Sequence, residues 1–543
     1  MINTLKKESF FMFLNKIFVG LIFNFVSMLL SQNPIDNYLL GTNTLKVIGS
    51  YEDGVDNPRD LDFHPTMGNQ LWVLNEGEAS YTSNTQNIFN VCVPENSNLT
   101  FTIYDSSGNG ICCENGEGSY ELIGCETVFV NGGEFGESES SNFNVGLACN
   151  DMCSYGQVDL GIVINTDNRG KETFWALTDT DSGFEYAKRL APGGSTVIYF
   201  DAGEDNQSYE YRKDSYSRHF MHTASSLAFD DEGFFANTND CKDANDNPNG
   251  FFTGPTLWSA DLSTYATINQ NGPLLGSHLD MLHQSPYAMG IEYAGLGNIY
   301  WVYDGYHSSI VRYDFAIPHE YGGHDHSDGR IWRYDEIDIQ REEGVSSHMV
   351  LDDISGFLYI ADTGNQRILK FNTNSGIYDS DLTPYGEPLA EYFLMKEAEW
   401  EVYINEGLDK PSGIDLYENR LVISDYGTGD IIIYDISTTP PNELTRINTG
   451  GQSNVMGLKI GSDNKIWYVD YFADQVVRID YEAPFGDINQ DGIINVADAI
   501  FIVSFILQTM NYNDAQFRSA DINSDGFLNI SDIVLLVALI LEN

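Results

Sequence analysis

Between residues 57 and 480 one pattern returns six times: a short apolar strand, a turn, an aromatic strand ending near an aspartate, then a third strand. Three copies are well formed: SSHMVLDDISGFLYIADTGNQRILKF (346–371), KPSGIDLYENRLVISDYGTGDIIIYD (410–435) and SNVMGLKIGSDNKIWYVDYFADQVVRID (453–480). Three are looser: NPRDLDFHPTMGNQLWVLNEG (57–77), ASSLAFDDEGFFAN (224–237) and SPYAMGIEYAGLGNIYWVYDGYHSSIVRYD (285–314). Repeated short strands predict a propeller or a solenoid. Four-stranded units joined by loops of variable length favour the propeller. The strand TLKVIGSY (44–51) precedes the first copy and belongs to none, so it is expected to close the ring by joining the last unit.

A second repeat fills the C-terminus: DINQDGIINVADAIFIVSFIL from Asp487 and DINSDGFLNISDIVLLVALIL from Asp521. Each places oxygen-bearing side chains at loop positions 1, 3 and 5, a glycine at 6, Asn at 9 and Asp at 12. Alternate side chains then converge on one ion, the glycine allows the sharp turn, and a backbone carbonyl at position 7 adds an oxygen. The expected calcium ligands are Asp487, Asn489, Asp491, Asn495 and Asp498, then Asp521, Asn523, Asp525, Asn529 and Asp532. Ile493 and Phe527 would offer backbone oxygens alone. Each loop runs into an apolar helix and has no helix before it. Such loop-then-helix duplicates resemble the dockerin type I family over 485–543. The resemblance implies two bound Ca2+ ions and a cohesin-like or cell-surface partner. Position 12 carries Asp, as is usual in dockerins, rather than the Glu of an EF-hand.

The upstream copies resemble NHL repeats, IADTGNQRI most closely, and this implies a mainly β fold with a six-bladed propeller over 44–482. The stretch 80–193 interrupts the first blade. Within it FTIYDSSGNGICCENGEGSYEL (101–122) and VNGGEFGESES (130–140) resemble a small cysteine-bearing β-module of exported bacterial proteins with a Gly-Asp-Gly-Ile-Cys-Cys core, in which Asn109 here replaces the aspartate. TDNRGKETFWALTDTDSG (166–183) resembles the opening half of the same module, so the order is either permuted or two copies are truncated.

Lys6, Lys7 and Lys16 precede the apolar run Ile17–Leu30 and the small Ser31, the pattern of a secretory signal over 1–31. No other apolar segment approaches the length of a membrane span. A secreted, extracellular or cell-surface chain with no membrane span after processing is expected. Six of the seven cysteines, Cys92, Cys112, Cys113, Cys125, Cys149 and Cys153, fall in the inserted module and predict disulfides there, with fifteen pairings open; Cys241 is the expected free thiol. The chain carries 80 acidic against 27 basic residues, a formal charge of −53. Such a field repels phosphate backbones, which argues against a nucleic-acid partner, and suits divalent cations.

Nine of the ten histidines lie between 219 and 348. Imidazole is the commonest transition-metal ligand, and Asp280, Asp325 and Asp328 lie nearby in sequence to complete a site. His222, His283 and His348 each precede the first strand of a different, consecutive repeat. They are expected to meet near the propeller axis, with His324, His326 and Asp328 folding over from the 319–328 loop, as a Zn2+ site with an open position for water. NHL-type propellers include a zinc lyase acting on peptidyl hydroxyglycines, and His222 and His348 match the blade starts where its ligands would lie; no motif fixes a third.

Two functions follow from these readings. One is a binding or scaffold protein with an unknown ligand on the propeller face, tethered by its dockerin. The other is a metal-dependent lyase or hydrolase, with a polysaccharide-active variant suggested by the enzymes that dockerins commonly accompany. No nucleophile elbow or phosphate loop stands out.

Overall fold

The computed structural model describes residues 33–39, 43–78, 81, 83–105, 108–148, 153–154, 156–189, 192–247, 249–270, 272–451, 454–481, 485–489, 494–512 and 514–542. The signal segment 1–31, Cys149, Asp491 and Ile493 lie outside them. The described chain is mainly β, arranged as many small sheets.

Six sheets correspond to the six sequence copies. Sheet I holds Pro58–Phe63, Leu71–Glu78, Gly193–Phe200 and Ser208–Arg212; sheet II holds Ala224–Phe229, Phe234–Asn239, Thr256–Ser259 and Asp280–Met281. Sheet III begins Ala288–Tyr293, Ile299–Asp304, Ser309–Asp314 and Arg330–Tyr334. Sheet IV is Met349–Asp352, Phe357–Asp362, Arg367–Asn372 and Trp400–Ile404; sheet V is Pro411–Tyr417, Arg420–Asp425, Asp430–Asp435 and Asn442–Asn448. Sheet VI runs Val455–Ile460, Ile466–Asp470 and Gln475–Tyr481, and Asn43–Gly49 completes it antiparallel to the last of these. The chain start is thus bonded to the end of the repeat region, the place its isolated position before the first copy predicts. Tyr38 fastens it further, donating its hydroxyl to Ile479 O at 2.7 Å and accepting from Ile466 N at 2.9 Å.

Both faces of these sheets are covered, which is why their middle strands read as unbroken apolar runs such as Ile431–Ile433 and Leu421–Ile423. Each interface is one apolar core shared by neighbours. Trp72 and Ile198 of sheet I pack with Phe235 and Trp258 of sheet II. Sheets II and III share Leu257 and Tyr300, III and IV Trp301 and Phe371, IV and V Ile368 and Ile423, V and VI Ile433 and Tyr468. Sheet VI then returns to sheet I through Trp467 and Val73. First strands approach closely. A Cβ at Gly290 would collide with the Ser347 carbonyl, and one at Gly413 with that of Met456, so glycine recurs at this register.

Between Leu71–Glu78 and Gly193–Phe200, which pair directly, the chain builds two sheets of its own. One is Glu185–Arg189, Thr173–Asp179, Asn98–Asp105 and Ser138–Asn144; the other is Gln86–Pro94, Gln157–Asn165, Ser119–Gly124 and Thr127–Gly132. They enclose one core containing Phe101, Leu122, Ile162 and Trp175. Thr173–Asp179 pairs with Asn98–Asp105, so the two stretches share one sheet and one core. Cys92 bonds Cys153, Cys112 bonds Cys113, Cys125 is also disulfide-bonded, and Cys241 is a buried free thiol.

A second excursion leaves sheet IV after Arg367–Asn372. Its strands Ile377–Asp381 and Glu391–Lys396 form a hairpin, and the latter adds parallel to Arg330–Tyr334, making sheet III six-stranded. The C-terminal segment folds as helices Val496–Ile506, Asp514–Ala520 and Ile530–Glu542 around Ile488, Ile502, Phe505, Ala520 and Leu536. The second loop thus does have a helix before it, the short Asp514–Ala520, contrary to the sequence expectation.

Candidate functional site

Two regions gather metal-ligating side chains. In the C-terminal segment the position-12 aspartates organise the loops. Asp498 accepts from Ile488 N (2.8 Å) and Asn489 N (3.1 Å) with one oxygen and from Asn495 N (2.8 Å) with the other. Asp532 repeats this with Asn523 N (3.4 Å) and Asn529 N (2.9 Å). Asp521 accepts from Asp525 N (3.0 Å) and Gly526 N (2.8 Å), and Asn523 donates to Asp525 at 2.9 Å. Asn495 also caps its helix by accepting from Ala497 N. Asp487, Asp498, Asp521 and Asp532 are buried in the loops while Asn523 and Asp525 are exposed, and this carboxylate and amide donor set fits calcium.

The second region lies at the outer edge of sheets II and III. The strand Asp280–Met281 closes sheet II, and the loop after Ser309–Asp314 runs beside it: His319 N donates to Leu279 O (3.1 Å) and Gly322 N to His278 O (2.9 Å). The tip of the hairpin added to sheet III delivers Glu387, which accepts from His283 N (2.6 Å) and Gln284 Nε2 (3.0 Å). Five imidazoles form a chain here, with ring centroids 5.1 Å apart for His278–His319, 5.5 Å for His319–His326, 5.6 Å for His326–His283 and 5.7 Å for His283–His219. Phe220 stacks on His278 and Phe252 on His283, holding both rings in place.

The partners of each Nδ1 set the tautomers. His278 Nδ1 lies 2.8 Å from Leu275 O and His319 Nδ1 2.7 Å from Glu320 O; a carbonyl accepts, so these Nδ1 atoms carry the proton. His283 Nδ1 meets Glu387 and His326 Nδ1 meets Asp280, each at 2.7 Å. For His278, His283 and His319 the lone pair therefore sits on Nε2. In all three that atom is buried without a hydrogen-bond partner among the described residues, as is Oδ2 of Asp280. Burial holds His278 well below the usual imidazole range, pushes His319 down to about 4, and lowers His283 despite Glu387. Burial also pushes Asp280 up to about 6 against the pull of His326. His326 moves the other way: burial opposes its charge, but the hydrogen bond and charge of Asp280 outweigh it. Two sets here, Asp280–His319–His326 and His283–His326–Glu387, place one ligand atom from each member within 4.8 Å of the others.

The structure divides the histidines that the sequence grouped. His283 and His326 meet, but His222 and His348 belong to neither set. His283 directly follows the outer strand of sheet II, whereas His222 and His348 stand ahead of inner strands. His222 bonds Asp246 through Nε2 at 2.7 Å and Thr223 Oγ1 at 2.9 Å. Burial opposes its charge, yet Cys241 and Asp246 hold its pKa up at about 10. His348 Nδ1 lies 3.2 Å from Asp60 and 3.0 Å from Ser226 Oγ. His324 reaches Pro273 O through Nε2 at 3.0 Å, and Asp328 accepts from Ile317 N at 3.1 Å.

Sequence reasoning passed over Glu387, which has no local motif. It also passed over a charged group where the first strands meet. Lys459 Nζ lies 3.9 Å from Asp62 and 3.7 Å from Glu292, with Asp415 alongside. Burial pushes Asp62 up to about 6 and Glu292 up to about 8, against the Lys459 charge. The recurring triplets Gly290-Ile-Glu, Gly413-Ile-Asp and Gly457-Leu-Lys were the available signal. Next to the histidines, a cavity of about 290 Å³ is lined by Phe251, His283, Gln284, Tyr306, Tyr385 and Tyr392, among others.

No helix among the described residues is long and apolar enough to cross a membrane. No curated protein matches the chain significantly. Solved structures align at low similarity. An auxiliary nutrient binding protein from Bacteroides ovatus shares 10% identity over 78% of this chain and 97% of its own, with a TM-score of 0.33. One from Bacteroides thetaiotaomicron shares 12% over 78% and 97%, with a TM-score of 0.31. The periplasmic gluconolactonase of Pseudomonas aeruginosa shares 10% over 56% and 90%, also at 0.31. At these scores the alignments decide neither fold nor activity. The family model for the dockerin type I domain matches residues 485–541, so the C-terminal segment is a dockerin type I domain, a type that binds calcium and implies tethering to a cohesin-bearing assembly.

Proposed function

We propose that this chain is an exported binding protein, a six-bladed propeller of NHL type over 44–482 carrying an inserted disulfide-bearing module at 80–193, tethered by the dockerin at 485–543. The cyclic succession of shared cores from sheet I to VI and back to I supports six blades. The export pattern at 1–31 and the extracellular role of dockerins support a secreted or surface-bound protein. The ten loop residues Asp487, Asn489, Asp491, Asn495, Asp498, Asp521, Asn523, Asp525, Asn529 and Asp532 hold two calcium ions. An aromatic cavity near the lower end of ligand-pocket volumes, with Tyr and His among its lining residues, suits a small polar ligand with apolar faces, such as a sugar.

The observation that carries the tether is a duplicated apolar stripe. Val496, Ile500, Val503 and Leu507 share one helical face and are exposed by 65, 60, 39 and 66%. Ile530, Val534, Val537 and Leu541, each at the matching position of the second repeat, are exposed by 72, 61, 41 and 80%. Exposed apolar faces of this kind mark partner surfaces. Calorimetry against a panel of type I cohesins tests it. Binding in calcium that disappears with chelator and in the Ile500→Asp/Val534→Asp variant is expected; binding untouched by either change contradicts it.

The second reading, a metal-dependent lyase or hydrolase, rests on the histidine cluster beside the cavity.

A further inference from the structure

We propose that Asp280, His319 and His326 hold a divalent transition-metal ion of the zinc class at the outer edge of sheets II and III, with His278 and His283 as adjoining imidazoles. The site differs from one on the central axis, and it rests on no part of the tethering reading.

The argument starts from unsatisfied acceptors. A buried polar atom without a partner costs about 1–3 kcal/mol, so native structures rarely gather several in one place. Here four such atoms, Nε2 of His278, His283 and His319 and Oδ2 of Asp280, belong to one cluster. All four are lone-pair acceptors, so relief needs a donor or a cation; the proposed ion would take two of them, Nε2 of His319 and Oδ2 of Asp280. His278 is fully buried, as is Asp280, and His283 is 2% exposed.

The surrounding contacts match those of a metal shell. Metal-bound histidines generally donate their other ring N–H to a carbonyl or carboxylate, which fixes the tautomer and aims the lone pair. Three of these rings have an anchor outside the ligand set: Leu275 O for His278, Glu320 O for His319 and Glu387 for His283. His326 Nδ1 instead faces its fellow ligand Asp280 at 2.7 Å, so the ion would take the place of the proton between them. The ligand atoms of Asp280, His319 and His326 lie within 4.8 Å of one another, and tetrahedral zinc needs about 3.3 Å between ligand atoms at 2.0–2.1 Å from the ion. The gap is small enough to close by ring and carboxylate rotation. Imidazole nitrogens beside one carboxylate select zinc, cobalt or nickel over calcium, which takes oxygen ligands. The ion would join the last strand of sheet II to the long loop of sheet III. That gives the loop a reason to be held against sheet II.

The test uses the full chain in saturating calcium, so that the dockerin loops stay silent. After removal of transition metals the chain is titrated with Co2+. The visible absorption of low-coordinate cobalt should rise to one equivalent, and the melting temperature of the repeat region should rise with it. His319→Ala and His326→Ala should lose the band at the cobalt concentration that saturates the parent, whereas His324→Ala, altering a neighbour bonded to Pro273 O, should keep it. If either alanine variant fails to fold, the parent's own band and melting shift decide the matter. A parent with neither band nor shift overturns the proposal, as does a band kept in both folded variants.

Discussion

The dockerin loops and the histidine cluster both collect metal-ligating atoms, but they are assembled in opposite ways. Each loop draws its oxygens from twelve consecutive residues, and Asp498 or Asp532 folds the turn through short-range hydrogen bonds to its own backbone. The cluster takes His219 and Asp280 from around sheet II, His319 and His326 from a sheet III loop, and Glu387 from the hairpin that leaves sheet IV and joins sheet III. One region needs its ion to gather charge in a small module. The other is gathered by sheets that already pack on one another. Metal dependence of folding should therefore fall on the dockerin, and metal dependence of local rigidity on the cluster.

Calcium removal should have the largest effect. The buried carboxylates of 485–541 repel one another once the ion is gone, and the small core around Ile502 and Leu536 cannot offset that. Far-UV circular dichroism of the full chain should lose its helical component in chelator while the β signal stays. Loss of the β signal instead would break the contrast.

Next comes the ring closure. A chain starting at Ser50 lacks Asn43–Gly49 and the buried Ile35 and Tyr38, leaving an open edge on sheet VI. Denaturant titration should show a loss of at least about 3 kcal/mol, the cost of one large buried side chain. An unchanged midpoint would mean that sheets I and VI hold together without it.

A smaller effect is expected at Glu387. Glu387→Ala strands the Nδ1–H of His283 and should cost about 1–3 kcal/mol, and Glu387→Gln, which keeps an acceptor, should cost less. Equal losses in both variants would show that the charge, not the hydrogen bond, matters.

The smallest effect is a pH slope. The folded pKa of His319, about 4, lies below its unfolded value near 6.5. Between these values the unfolded chain takes a proton that the folded one refuses, so stability is full above about pH 6.5 and declines towards pH 4. In metal-free protein, His319→Gln should show a shallower decline across that window. A steeper one would contradict the placement of its buried Nε2.

The same contrast explains what could be read in the sequence. The dockerin was legible because its ligand spacing is local, and the six sheets because their apolar strands recur at fixed turns. The closing strand was legible as one strand too many before the first copy. The histidine site was legible as a concentration of residues but not as a constellation. His283 looked like the lead-in to the strand Ala288–Tyr293, yet it follows Asp280–Met281, a two-residue outer strand too short to show periodicity. Glu387 sits on the tip of a hairpin that crosses from sheet IV to sheet III, and no spacing rule reaches that far. The group around Lys459 was hidden because single charges within apolar strands read as surface positions until the first strands are seen to converge.

The most direct test is a metal inventory of the full chain and of a chain ending before residue 485, by mass spectrometry after equilibration with calcium and zinc at physiological salt. Two calcium ions that disappear with the truncation, and one zinc that survives it but is lost in His326→Ala, are the predicted result. Calcium retained by the truncated chain, or zinc that leaves with the dockerin, would contradict the separation of the two regions.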